Sequence, residues 1–149
     1  MPDDHALIAA ASPAYLQAHG TPRSARGLGQ HRCLTGFARG EVPRTHWPRR
    51  SGGKVPIESQ FVTNDMLLLE EMAVRGLGIA LLPMLMITPL LERGTLVHVL
   101  PDLIREDVRV ALVYPEKEFL PPQVRAFIDA VVAWAPGRLT GPLAKPRAR

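Results

Sequence analysis

The chain has 149 residues, of which 46% are hydrophobic and 21% charged, and this composition excludes a chain that is disordered throughout. A single cysteine, Cys33, excludes an internal disulfide and a multi-cysteine zinc site, and suits a reducing compartment. The net charge of +4 is unevenly spread: residues 1–20 carry −2, 21–54 carry +7, 55–135 carry −5 and 136–149 carry +4.

The chain opens with Asp3 and Asp4 where a signal peptide needs bases, and its apolar stretch 6–11 is too short for a signal core. Residues 7–11 read as a strand. Ser12-Pro13 then starts a helix, a hydroxyl able to cap followed by a proline whose missing N–H costs nothing at the first helical position. Gly20 stops that helix. A second short helix is expected over 24–30 and a strand over 32–37, carrying Cys33, Leu34 and Phe37. Residues 38–54 are rich in Gly, Pro and Arg and read as a basic hairpin or loop, with Trp47 as their only large apolar anchor. Residues 55–57 and 60–62 are short strand candidates.

The strongest local signal runs from Phe61 to Leu82. Thr63-Asn64-Asp65 supplies capping side chains, and Met66, Leu69, Met72 and Ala73 fall on one helix face. Gly76-Leu77-Gly78 ends that helix, and residues 77–82 form an apolar strand closed by Pro83. Strand, helix and strand in that order predict a parallel pairing with a crossover. A helix over 84–93 follows, with Pro89 beginning or breaking a turn, then a strand over 96–100. Residues 105–114 alternate charged and apolar side chains and read as a half-exposed strand. Residues 121–134 form an amphipathic helix whose expected buried stripe is Val124, Phe127, Ile128, Val131 and Val132. The uncharged, largely apolar stretch 76–91 is shorter than the roughly 20 residues a spanning helix needs, so a cytoplasmic location with no membrane partner is expected.

Several motifs together resemble the effector-binding domain of LysR-type transcriptional regulators. They are Ala11-Ser12-Pro13-Ala14-Tyr15-Leu16 with His19-Gly20, then His31-Arg32-Cys33-Leu34, then Gly76-Leu77-Gly78-Ile79-Ala80-Leu81-Leu82-Pro83, and finally Leu120-Pro121-Pro122 with Val124-Arg125-Ala126-Phe127-Ile128. Each is weak alone; their order and spacing over about residues 7–135 make the match specific. The resemblance implies an α/β fold of the periplasmic-binding-protein-like type 2 class, with a mixed sheet and a small effector held between two subdomains. One subdomain is expected to be complete and the other partial. Nothing resembles the helix-turn-helix through which that family binds DNA, so the chain reads as a truncated gene product or a shortened gene model. The organisation expected is an N-terminal extension over 1–6, a partial effector-binding domain over 7–135 and a basic disordered tail over 136–149.

Four residues emerge as candidate effector contacts. Thr63 and Asn64 stand at a helix start whose N–H groups and dipole favour an anion, and the resemblance turns this segment toward the effector cleft. The competing reading is plain capping by Asn64 or Asp65. Thr35 and Phe37 are cleft-lining candidates by the same resemblance, against ordinary strand packing for Phe37 and an exposed hydroxyl for Thr35. The basic segment 23–54 reads as a solvated face, as a rim that attracts an acidic effector, or as a weak nucleic-acid contact. His19, His31, Cys33 and His46 lack metal-ligand spacing, and Glu70-Glu71 diverge by about 100° on a helix.

No catalytic constellation, metal site or cofactor motif is present, so no enzyme is expected. The function expected is transcription regulation by sensing a small, anionic metabolite, in a homo-oligomer that reaches DNA only through a helix-turn-helix domain. The alternative is a truncated interaction or dimerisation module without a ligand.

Overall fold

The computed structural model describes residues 5–37, 41–108 and 121–134. The chain divides after Val108 into two compact units. In the first, β1 (Ala6–Ala11) leads into α1 (Pro13–His19) and α2 (Ala25–Leu28). Next come β2 (Cys33–Gly36), the strand pair β3 (His46–Pro48) and β4 (Lys54–Pro56), and β5 (Ser59–Thr63). They are followed by α3 (Met66–Val74), β6 (Ile79–Pro83), α4 (Met84–Glu92), β7 (Val97–His98) and β8 (Arg105–Asp107).

Local chemistry starts the helices as expected. The Ser12 hydroxyl accepts from the Tyr15 amide at 3.3 Å, with Pro13 in the first turn of α1. The Asp65 carboxylate accepts from Leu67 N at 3.0 Å and Leu68 N at 3.1 Å, so Asp65, not Asn64, caps α3. Pro89 lies inside α4, which continues through it to Glu92 at the cost of one intrahelical donor. The basic segment ends in an antiparallel hairpin over residues 46–56, β3 on β4, with Trp47 opposite Val55.

The main sheet runs β5-β2-β6-β1-β7, with β8 also on β1. β2 is parallel to β5 and to β6, whereas β1 is antiparallel to β6, β7 and β8, so the sheet is mixed. Alternation along each strand divides the core. Ala9, Ala11, Cys33, Ile79 and Leu81 pack with Tyr15, Leu28 and Trp47 on one face. Ile8, Ala10, Leu34, Ala80 and Leu82 pack with Leu69, Ala73 and Ile87 on the other. Each fully buried Leu or Ile there contributes about 1.5–3 kcal/mol relative to exposure.

The strand–helix–strand segment corrects the sequence expectation in one respect. β5 and β6 are parallel, yet β2 lies between them and pairs with both. One glycine, Gly78, makes this insertion possible. A Cβ on Gly78 would stand 2.5 Å from the Arg32 carbonyl oxygen, so only glycine lets β6 approach there, where Ile79 N donates to Arg32 O at 2.8 Å. A Cβ on Gly36 would meet the tip of the Met66 side chain, which can swing aside, so this glycine eases the packing of α3 on the end of β2 without being required for it.

The expected strand over 105–114 is observed as β8 for its first three residues, and its later part lies outside the described residues, as does the tail. In the second unit, α5 (Pro122–Trp134) forms where expected. Its expected stripe is not fully buried: Val124, Phe127 and Val132 are exposed, and Ile128 and Val131 are half-buried. Amphipathic spacing decides which residues share a helix face, not whether anything covers that face.

Candidate functional site

The parallel strands β2, β5 and β6 finish on the same side of the sheet, and the four predicted contacts cluster at the ends of the first two. Gly36 pairs with Thr63, and the Phe37 amide donates to the Thr63 carbonyl at 3.1 Å, which locks the two strand ends together. The side chains then diverge. Paired residues of parallel strands share a face, so Thr63 lies with Gly36 on the α3 side, where its hydroxyl accepts from Asp65 N at 3.0 Å. Phe37, one residue beyond Gly36, belongs to the opposite face and is half-buried. Asn64 stands exposed on the turn into α3.

Thr35 is placed differently from the other three. It is fully buried, and its hydroxyl accepts from Ser59 Oγ at 2.6 Å and from Trp47 Nε1 at 3.3 Å. The indole N–H of a buried tryptophan needs an acceptor, and this hydroxyl supplies it beneath the strand end that carries Phe37. Ser59 was not singled out from the sequence. The signal that points to it is a hydroxyl at the start of a strand whose partner also carries a buried hydroxyl.

The basic segment is partly structural. Arg44 pairs with Glu106 at 2.6 Å, and Arg50 donates through Nη1 to the Pro101 carbonyl at 3.3 Å. Arg50 N also donates to Leu103 O, and Arg49 bridges Ile104, so the hairpin is stitched to residues 101–106. Arg23, Arg26, Arg32, Arg49 and Lys54 remain exposed. An open concavity of about 440 Å³ lies beside the hairpin, lined by Arg44, His46 and Lys54 with Glu106. A second, of about 270 Å³, lies between the loop after α1 and the turn after β7. Neither is lined by Thr35, Phe37, Thr63 or Asn64.

Among the described residues no group of three or more His, Cys, Asp or Glu could hold a metal ion, and no helix is long and apolar enough to cross a membrane. Burial pushes the Cys33 thiol up to about 12, which removes it as a nucleophile at neutral pH.

The family model for the LysR substrate binding domain matches residues 3–136. The chain is similar to YagP of Escherichia coli K12, a protein named for a LysR family substrate binding domain. The identity is 32% over 113 residues, covering 74% of this chain and 83% of that one. It is also similar to the HTH-type transcriptional activator TtdR of the same strain, 29% identical over 138 residues, covering 91% of this chain and 44% of that one. Among solved structures it is similar to full-length AphB of Vibrio cholerae, a virulence activator of the LTTR family. That match has a TM-score of 0.68 at 30% identity and covers 89% of this chain and 46% of that one. The chain thus spans less than half the length of these two regulators.

Proposed function

The chain belongs to the LysR substrate-binding-domain family, and from that premise we propose that it senses a small organic anion at the joined ends of β2 and β5. Members of this family regulate transcription and are not enzymes. The observation that carries the location is the bond from the Phe37 amide to the Thr63 carbonyl, which brings the two strand ends and the exposed Asn64 into one place. In open α/β sheets, ligands bind outside the carboxyl ends of the strands, and these are such ends. In this reading Asn64 hydrogen-bonds the effector, Thr63 and Phe37 border it, and Thr35 supports the strand end from below.

The anionic character rests on charge. The segment 21–54 carries +7, and its exposed arginines and Lys54 raise the local concentration of an acidic ligand. Asp65 occupies the helix N-terminus, so the effector's charge is met by side chains and not by the α3 dipole. Effector binding shifts the population of arrangements available to a cytoplasmic homo-oligomer, and DNA is reached through a helix-turn-helix domain.

The test is a thermal-unfolding screen of the full chain against small organic acids at about 10 mM, where a ligand at 100 times its Kd adds about 2.7 kcal/mol. At least one acid is expected to raise Tm, and Asn64→Ala is expected to abolish that rise. A panel that leaves Tm unmoved sinks the reading.

A further inference from the structure

The smaller concavity, of about 270 Å³, combines features that separately call for an explanation. Two of its lining residues break general rules. Leu100 has φ 51°, the only left-handed non-glycine backbone among the described residues. Its carbonyl accepts from both Leu103 N and Ile104 N at 2.9 Å, which holds the turn in that conformation. Such strained residues persist where the surroundings fix them, and they concentrate at ligand clamps. His98 is the second. Its Nε2 is buried and has no hydrogen-bond partner among the described residues, a rarity in a folded interior.

The remaining lining specifies a ligand chemistry. Arg23, on the loop after α1, and Asp102, on the turn after β7, both line it. Pro22, Leu100 and Pro101 contribute apolar surface. One charge of each sign beside apolar surface matches a small molecule that carries both charges and an apolar group. A volume just below the roughly 300 Å³ at which drug-sized sites begin limits it to about the size of an amino acid.

We propose that this concavity binds a free α-amino acid with an apolar side chain. Arg23 takes its carboxylate, Asp102 takes its ammonium group, and Pro22 and Leu100 pack its side chain. This site shares no residue with the effector site proposed at β2 and β5, and the two can fail independently.

An NMR titration of the full chain tests it, with L-leucine as the probe beside leucinamide, which lacks the carboxylate, and isocaproate, which lacks the ammonium group. Leucine is expected to give saturable shifts at the amides around Leu100 and at the His98 ring. Each analogue is expected to bind about tenfold more weakly or worse, the loss of one charge-assisted contact. Arg23→Gln is expected to remove the preference over leucinamide, Asp102→Asn the preference over isocaproate, and Asn64→Ala to change neither. The absence of saturable shifts with leucine, or analogues that bind as well as leucine, overturns the proposal. If either charge variant fails to fold, the three probes on the native chain still decide.

Discussion

Trp47 donates its indole N–H to the hydroxyl of Thr35, twelve residues earlier, and both side chains are fully buried. The bond ties the β3–β4 hairpin to β2 at the strand end where Phe37 meets Thr63. A hydrogen bond between buried neutral groups contributes about 1 kcal/mol net, but removing one partner leaves the other desolvated and unpaired.

Thr35→Val is therefore expected to destabilise the protein by about 1–3 kcal/mol, since it strands both the Trp47 Nε1–H and the Ser59 hydroxyl with little change of volume. Thr35→Ser retains the acceptor and is expected to lose less. Urea unfolding of both variants checks this. A Thr35→Val protein within about 0.5 kcal/mol of the native one, the range of an ordinary surface change, would mean that the bond carries no weight.

Gly78→Ala is expected to be among the most damaging single-methyl changes. The added Cβ falls 2.5 Å from the Arg32 carbonyl and 3.0 Å from Leu34 Cγ, and the first of these is backbone that cannot swing aside. Loss of the β2–β6 pairing would follow, with a cost above about 2 kcal/mol. Gly52→Ala makes a useful contrast. It has φ 88° and nothing within 4 Å of a built Cβ, so only the conformational cost of about 1 kcal/mol applies. Equal melting temperatures for the two variants would refute the steric argument.

These positions also show where the sequence was readable and where it was not. Ser12-Pro13 and Thr63-Asn64-Asp65 act within a few residues, so the starts of α1 and α3 could be read directly. The anchoring role of Trp47 was readable too, because no other large apolar side chain is available in 38–54. The order of the strands was not. The seat of β2 between β5 and β6 depends on Gly78 meeting Arg32, a contact that no period encodes. The orientation of Thr35 was equally hidden. β2 has only four residues, and its register against β5 shifts between Cys33 and Leu34, so the pattern gives no frame for which face Thr35 joins. At the candidate site, the turn at Asn64 was legible as chemistry, and the convergence of strand ends beside it required the fold.

Cys33 is expected to resist modification while the chain is folded. Its thiol is buried and pushed up to about 12, so at pH 8 almost none is thiolate. A disulfide reagent added to native protein should therefore react only as fast as the chain opens, and at once in urea. Rapid stoichiometric labelling without denaturant would contradict the packing of β2.

Two histidines predict the pH dependence of stability. His98 is held below its ordinary value of 6.5, first by burial and then by the positive charges of Arg105 and Arg50, which Asp102 opposes. His31 is lowered in the same direction by burial and by His19. The Tyr15 hydroxyl accepts from Arg32 N at 3.0 Å and lies 3.3 Å from His31 Nδ1, which ties that ring to the start of β2. A depressed histidine binds fewer protons folded than unfolded, so its contribution is complete above 6.5 and is lost as pH falls through the folded value. The unfolding free energy is expected to be flat in this respect above neutrality and to decline as the solution is acidified below 6.5. His98→Gln keeps a polar side chain and is expected to flatten part of that decline, with His31→Gln flattening another part. Urea titrations at a series of pH values, native against variant, measure the difference. If His98→Gln leaves the slope unchanged, the ring is not held neutral by its surroundings, and its unpaired nitrogen needs another explanation.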